Sequence, residues 1–313
     1  MAFSERRIFA AGAAHIDRLG RPSGRFRPLA SNPGTVTASA GGAIYKAALA
    51  LRRCGAAVAL MSGRGGDADG AAVAAALKAA GIDDLAMTWL DRQSPNFTAI
   101  LDDHEDFVVG IADMQLYDLL SGRVFSRRHI REAMSRCDAL ILDANLPPSG
   151  IGYLVETFRG RPIAAIGVSP AKAVRLAPRL GDMSMLFLSR AEAAELVDWP
   201  STTGIVRLAQ LLAEAGALRA VITDGADAVA ILEAGRLWLQ EASPIIPFGN
   251  IAGARDALAG VTALAHTDGR PFVEAVRLGI AAAAHQDRTQ TAGDDLDDIE
   301  RVAAAMPPPR PAG

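Results

Sequence analysis

The chain reads as an α/β protein, on three observations. Its 313 residues, half of them hydrophobic, can bury a large core and suit one α/β domain, or a domain with a small appendage. Apolar runs of strand length alternate with segments of helical periodicity through most of the chain. Between residues 86 and 112 the alternation gives way to a block of short strands, which reads as an insertion or a sheet edge. A formal net charge of -3 and the lack of a basic stripe with interleaved aromatics argue against a nucleic-acid polymer as partner and leave single nucleotides open. No apolar run is long enough to span a membrane, and the run from Ile8 to Ala14 is interrupted by His15 and Asp17 before it could be a signal segment. Cys54 and Cys137 lack metal-ligand spacing and read as buried thiols in a reducing cytoplasm.

Taken in order, Ile8 to Asp17 reads as a buried strand ending in polar residues. Ligands gather at the carboxyl ends of strands in open parallel sheets, which makes Asp17 a candidate for binding a substrate hydroxyl; a cap on the loop Arg18 to Gly24 would account for it equally. Residues 21 to 40 are rich in Pro, Gly, Ser and Thr, with Phe26 to Ala30 and Thr35 to Ser39 as short strands around a turn at Ser31 to Gly34. A helix then enters through Gly41-Gly42 and stops at Gly55. Strand Ala57 to Ser62, helix Asp67 to Ala80 and the turn Gly81 to Asp84 make a βαβ unit. Its Gly63 to Gly70 connection lacks the Lys and Ser/Thr of a phosphate-binding P-loop and is read as strand-to-helix geometry. Met87 to Leu90, Phe97 to Leu101 and Phe107 to Ile111 are short strands, with 102–106 as a hairpin turn; His104 among its acids reads as a solvated tip rather than a metal site.

The alternation resumes with strand Ala139 to Leu142, helix Gly150 to Phe158, strand Ile163 to Val168, helix Lys172 to Ala177 and strand Met185 to Leu188. Asn145 follows the first of these strands and so sits at a carboxyl end. Lys172 reads as a solvated first-turn residue after an N-cap at Ser169, and Ser189-Arg-Ala-Glu192 as a capping box. Pro244 to Phe248 runs into small residues and then into a helix that carries Asp256 in its first turn. Free N–H groups at such a helix start, with Gly253 and Ala254 leaving room, suit an anion. Asp256 there either complements the helix dipole or acts as a general base beside a held phosphoryl group. Arg270 to His285 continues as an apolar helix; the acidic and Pro-rich residues 291–313 read as a mobile tail.

Ala252-Gly253-Ala254-Arg255-Asp256 resembles the second signature of the ribokinase-like (PfkB) family of sugar and nucleoside kinases, D-T-x-G-A-G-D, whose last Asp is the catalytic base. Arg255 replaces the second Gly. Should that Gly have φ > 0, the side chain costs about 1–2 kcal/mol of strain. The stretch from Gly41 to Gly55 resembles the first signature, with Lys46 where the family has a substrate-binding Asn. Asp17 matches the sugar-binding Asp of an N-x-D pattern in which His15 takes the Asn position. Ser189 to Glu192 is similar to the N-x-x-E motif, whose Glu supports magnesium through water, and Thr223 and Gly225 match the nucleotide-side T-x-G-x-x-G, with Ala228 for the last Gly. Ile111 to Asp118 and Val168 to Ala173 resemble the pseudouridine-kinase-like branch.

The resemblance implies a three-layer α/β/α ribokinase-like fold over residues 1–290, with a mostly parallel twisted sheet and a small β lid from strands within about 21–40 and 86–112. It implies an ATP- and Mg2+-dependent kinase acting on a hydroxymethyl group of a sugar or nucleoside, pseudouridine or a related nucleoside at branch level. Asp256 would be the base and Gly253, Ala254 and Arg255 its anion hole. Asp17, Gly41, Gly42, Lys46 and Asn145 would hold the acceptor. Lys172, Ser189, Glu192, Thr223, Gly225 and His285 would lie on the nucleotide side. A homodimer through the lid also fits the family. The departures at Lys46, Ser189, Ala228, Ala252 and Arg255 support a second reading, a catalytically impaired relative that binds a nucleoside or nucleotide as a sensor or partner. Arg255 separates the two, since it would either stabilise transferring phosphate or pair with Asp256 and lower its pKa.

Overall fold

The computed structural model describes residues 3, 5–225, 227–241, 251–285 and 295–312. The first strand, β1 (Arg7–Ala11), ends well short of Asp17. Gly12, at φ 148°, turns the chain and donates its N–H to the Met61 carbonyl, so the polar residues that follow form β2 (His15–Pro22) in a different sheet. Asp17 therefore belongs to a lid strand rather than to the tip of a central one. β2 pairs antiparallel with β3 (Gly34–Gly41). Phe26 to Ala30, expected as a strand, lies in the loop between them: side chains of Asp103 and Asn32 accept the N–H groups of Phe26 and Arg27 that a ladder would need.

Helix α1 (Ala43–Arg53) is followed by β4 (Ala57–Met61), β5 (Gly63–Gly65) and α2 (Ala68–Ala79). Asp67 caps α2 by accepting from the Gly70 N–H, which bears out the strand-to-helix reading of the Gly63 to Gly70 stretch. After β6 (Asp83–Asp84), β7 (Met87–Trp89) pairs parallel with β5 in a small sheet of its own and not with the lid. β8 (Asn96–Leu101) and β9 (Phe107–Asp113) make the expected hairpin and complete a four-stranded lid in the order β3-β2-β8-β9.

The alternation then runs through α3 (Gly122–Phe125), α4 (Arg128–Ser135), β10 (Ala139–Asp143), α5 (Pro148–Thr157), β11 (Ile163–Ile166) and α6 (Pro170–Ala173). It continues with β12 (Met185–Ser189), α7 (Arg190–Leu196), α8 (Ile205–Glu214) and β13 (Arg219–Thr223). A hairpin of β14 (Val229–Glu233) and β15 (Arg236–Gln240) precedes α9 (Ile251–Thr267), α10 (Phe272–His285), α11 (Asp295–Ala305) and β16 (Arg310–Pro311). The apolar segment Pro244 to Phe248 lies outside the described residues.

The main sheet has ten strands in the order β16-β15-β14-β13-β12-β11-β10-β1-β4-β6, parallel from β13 to β6 and antiparallel beyond. Successive strand residues face opposite ways, so Ile8 and Ala10 enter one core while Phe9 and Ala11 enter another. Helices α1, α2, α9, α10 and α11 cover the first; α3, α4, α5, α7 and α8 cover the second. This is the expected three-layer α/β/α arrangement with a β lid.

The C-terminal segment departs from expectation. Over the described residues 295–312 it is packed structure rather than a mobile tail: Ile299, Val302, Ala303 and Met306 are buried in the core that α10 also lines, and β16 pairs with β15. Arg277 of α10 holds it by donating to the carbonyls of Ala303, Met306 and Pro307. The acidic composition concealed apolar residues at helical spacing.

Candidate active site

The parallel strands deliver their carboxyl ends to one edge of the sheet, and Ser189 and Thr223, singled out from the sequence, stand there. Asp143 ends β10, Gly167 follows β11, Ser189 ends β12 and Thr223 ends β13, paired in register with Ser189. Helix α9 crosses this edge against α1. A Cβ on Gly260 would lie 2.8 Å from the Ala47 carbonyl, so the missing side chain lets the helices approach and sets the start of α9 beside Lys46.

Gly253 has φ 111°, so regular helical backbone in α9 begins only after it and Asp256 stands in the first regular turn. The strain anticipated at Arg255 is absent, because positive φ falls on Gly253 and not on Arg255. Asp256 is buried, and burial pushes its carboxyl up to about 6; Arg255 and Lys46 pull it down, while Asp143 and Glu192 push it up further. A buried carboxylate of this basicity, beside a helix start, can accept a proton near neutral pH.

Among the described residues Arg255 bonds Glu192. Its Nη1 donates to Glu192 Oε1 at 2.9 Å, and its buried Nε has no hydrogen-bond partner among the described residues. Glu192 Oε2 accepts from the Ser189 N–H at 3.0 Å, while Ser189 Oγ accepts from the Glu192 N–H at 3.2 Å, so the capping box read from the sequence is formed.

At the other flank of Asp256, Lys46 Nζ donates to Asp17 Oδ2 at 3.0 Å, and His15 Nε2 lies 3.1 Å from Asp17 Oδ1. Burial raises the Asp17 carboxyl, but the His15 hydrogen bond and the Lys46 charge outweigh it and hold it below the usual carboxylate range. His15 Nδ1 in turn lies 3.2 Å from the hydroxyl of the fully buried Tyr117, which also accepts the Ala14 N–H. Gly41 and Gly42 shape this corner differently. A Cβ on Gly41 would overlap the Asp17 carboxyl, whereas Gly42, at φ 99°, starts α1 and lies against the Ala13 carbonyl.

Asp143 was not singled out from the sequence, although an acid ending a buried strand is a recognisable signal. It is fully buried, accepts the N–H groups of Ala13 and Asn145, and occupies the space a side chain on Gly12 would need. Burial raises its pKa, and those hydrogen bonds oppose the rise. Lys172 is not a solvated residue: it donates to Asn145 Oδ1, and burial lowers its pKa while the Asp143 charge raises it. Tyr117 is the other participant missed, a buried aromatic inside the stretch Ile111 to Asp118 that was noted only for its resemblance. Thr223 Oγ1 reaches the Leu188 carbonyl at 3.5 Å, and Gly225, at φ 61°, lies in open space. The side chains of Ala252 and His285 lie outside the described residues.

A carbohydrate kinase from Agrobacterium tumefaciens of known structure is 36% identical to this chain, with a TM-score of 0.84 over 98% of this chain and 100% of that one. The chain belongs to the PfkB family of carbohydrate kinases. The pfkB family carbohydrate kinase model itself matches residues 166–298, a stretch that carries Glu192 and Asp256. Pseudouridine kinase from Escherichia coli (strain K12) is 24% identical over 273 residues, 86% of this chain and 87% of that protein. The structure of Arabidopsis thaliana ribokinase complexed with ribose and ATP has the same fold, at 17% identity and a TM-score of 0.79 over 97% of this chain and 99% of that one.

A PfkB family member implies ATP and magnesium, and this site fits them unequally. The glycine-started helix and the unpaired Arg255 Nε suit a phosphoryl anion. Glu192 does not suit a metal-bound water: both carboxylate oxygens are already bonded, its side chain is 3% exposed, and a Cβ on Gly167 would lie 2.5 Å from Oε2.

Proposed function

We propose that this chain is an ATP-dependent phosphotransferase acting on a hydroxymethyl group of a sugar or nucleoside, with pseudouridine or a related nucleoside as the acceptor to test first. The observation that carries the reading is Asp256: a buried carboxyl with a pKa near 6 beside a glycine-started helix. In this reading Asp256 takes the proton of the acceptor hydroxyl. The N–H groups at Gly253 to Asp256 meet the phosphoryl group as charge builds on it. Asp17, held by His15 and Lys46, orients the acceptor at the lid with Asn145 beside it, and Lys172, which donates to Asn145, lies on the nucleotide side. Bound ATP with Mg2+ supplies the phosphoryl group and part of its charge neutralisation.

The impaired-relative reading rests on the departures at Lys46, Ser189, Ala228, Ala252 and Arg255 together, and of these Arg255 is the one that could block Asp256 directly. The Arg255–Glu192 pair argues for an intact base instead, since the guanidinium is bonded to Glu192 and the Asp256 carboxyl stays raised despite its charge. Support for the pseudouridine branch comes from the E. coli relative and from the Val168 to Ala173 stretch. Two buried cysteines outside any disulfide suit a reducing cytoplasm, and among the described residues no helix is long and apolar enough to cross a membrane. Exposed Val36, Phe107, Val109 and Ile111 on the outer lid strands suit contact with a second copy of the chain, which light scattering after size exclusion would reveal.

The test is ATP consumption against a panel of pentoses, hexoses and nucleosides, with Asp256→Asn and Asp17→Ala. One acceptor should be turned over. Asp256→Asn should slow it by roughly 10²–10⁴-fold with little change in ATP binding, and Asp17→Ala should weaken acceptor binding alone. Measurable ligand binding without turnover of any acceptor would favour the impaired relative.

A further inference from the structure

Among the described residues the cation bonded to Glu192 is Arg255, which is covalently part of the chain. The Glu192 carboxylate is enclosed by the Ser189 N–H, the bare Cα of Gly167 and the Arg255 guanidinium, with 3% of the side chain exposed. A carboxylate so enclosed has its charge compensated before any ligand arrives, and a divalent ion drawn towards it would meet the guanidinium first. Arg255 also keeps a donor in reserve, since Nε is buried and unpaired among the described residues. An anion is the partner that would satisfy it. Arg255 adjoins Asp256 in sequence and is, after burial, the largest influence on its carboxyl, so the guanidinium is close to where a phosphoryl group must lie if Asp256 is the base.

We propose that Arg255 is a resident cation: it takes the place at Glu192 that a magnesium-bound water network would otherwise fill, and offers its unpaired Nε to the transferring phosphoryl group. Resting on the kinase reading, this assigns the divalent ion to the nucleotide phosphates alone and makes Glu192 a positioning residue for Arg255. The glycine of the family signature is then replaced in a coupled way, because a guanidinium at 255 both needs Glu192 and removes it from metal chemistry.

The experiment is calorimetric titration of ADP without metal, followed by Mn2+ titration of the ADP complex read by electron paramagnetic resonance. It is run on the wild type, Glu192→Gln, Arg255→Gly and the double variant, with circular dichroism confirming the fold. ADP should bind the wild type, and Glu192→Gln should leave Mn2+ affinity unchanged. Arg255→Gly should raise Mn2+ affinity roughly tenfold, the low end of what an outer-sphere partner contributes to a bound metal, and adding Glu192→Gln should abolish the gain. If Glu192→Gln fails to fold because Arg255 is stranded, Arg255→Gly alone decides. A wild type whose Mn2+ affinity falls on Glu192→Gln, or an Arg255→Gly that gains none, overturns the resident cation and leaves the kinase reading standing. No ADP binding to the wild type overturns both.

Discussion

Replacing the base should make the protein more stable while silencing it. The Asp256 carboxyl moves from an ordinary 3.8 to about 6 on folding, chiefly because it is buried. Between those two values the folded state holds more protons than the unfolded chain, so stability falls as pH rises through the window and stays low above it. The difference corresponds to about 3 kcal/mol at about pH 7.5 and about 1 kcal/mol at about pH 4.5. Asparagine cannot ionise, so Asp256→Asn escapes the penalty. Urea unfolding followed by tryptophan fluorescence is the assay; with a slope of about 3 kcal/mol/M, the predicted gain is a midpoint higher by about 1 M at the upper pH and by about a third of that at the lower. A loss of stability at both pH values, or a gain independent of pH, would refute the argument that Asp256 is ionised against its surroundings.

Three other outcomes follow from the same geometry. With a confirmed acceptor, kcat/KM should rise with pH through about 6 and then level, and Lys46→Met should move the inflection upward because the Lys46 charge lowers the Asp256 pKa; a downward shift would contradict that coupling. Gly167→Ala places a methyl 2.5 Å from Glu192 Oε2 and should cost about 1–3 kcal/mol in denaturation, whereas Gly24→Ala, which meets nothing, should be nearly neutral. Arg277→Ala leaves the carbonyls of Ala303, Met306 and Pro307 without their charged donor and should speed limited proteolysis within 295–312 by roughly tenfold, given about 1.5–3 kcal/mol for such bonds; an unchanged cleavage rate would show the segment is held by packing alone.

What could be read from the sequence was mostly what is local. Strands β10 to β12 and the helices between them follow from runs of four apolar residues and from caps, and their shared edge follows from parallel topology. The misreadings arise where a distant partner decides. Ile8 to Asp17 looks continuous because Gly12 carries no visible signal until Met61 accepts its N–H and the lid captures the rest. Phe26 to Ala30 has strand composition, but Asp103, 77 residues away, takes its N–H. Lys172 looks solvated until Asn145 and Asp143 surround it. For Arg255 the sequence offered two partners, phosphate or Asp256, and neither is the one it bonds. Glu192 lies 63 residues earlier in the chain, and only the folded sheet brings the two together.

Three acids at the site each rest against a bare glycine: Asp143 against Gly12, Asp17 against Gly41 and Glu192 against Gly167. Each pair imposes an order on divergence. A lineage that first gained a side chain at the glycine would have to displace a carboxylate held by several hydrogen bonds, whereas one that first lost the acid would leave a space the former glycine position could later fill. The permitted route therefore runs acid first, glycine second. Relatives that have abandoned a given carboxylate should be the ones with an alanine or serine opposite it, and a bulky residue facing a retained acid should be missing from the family's history.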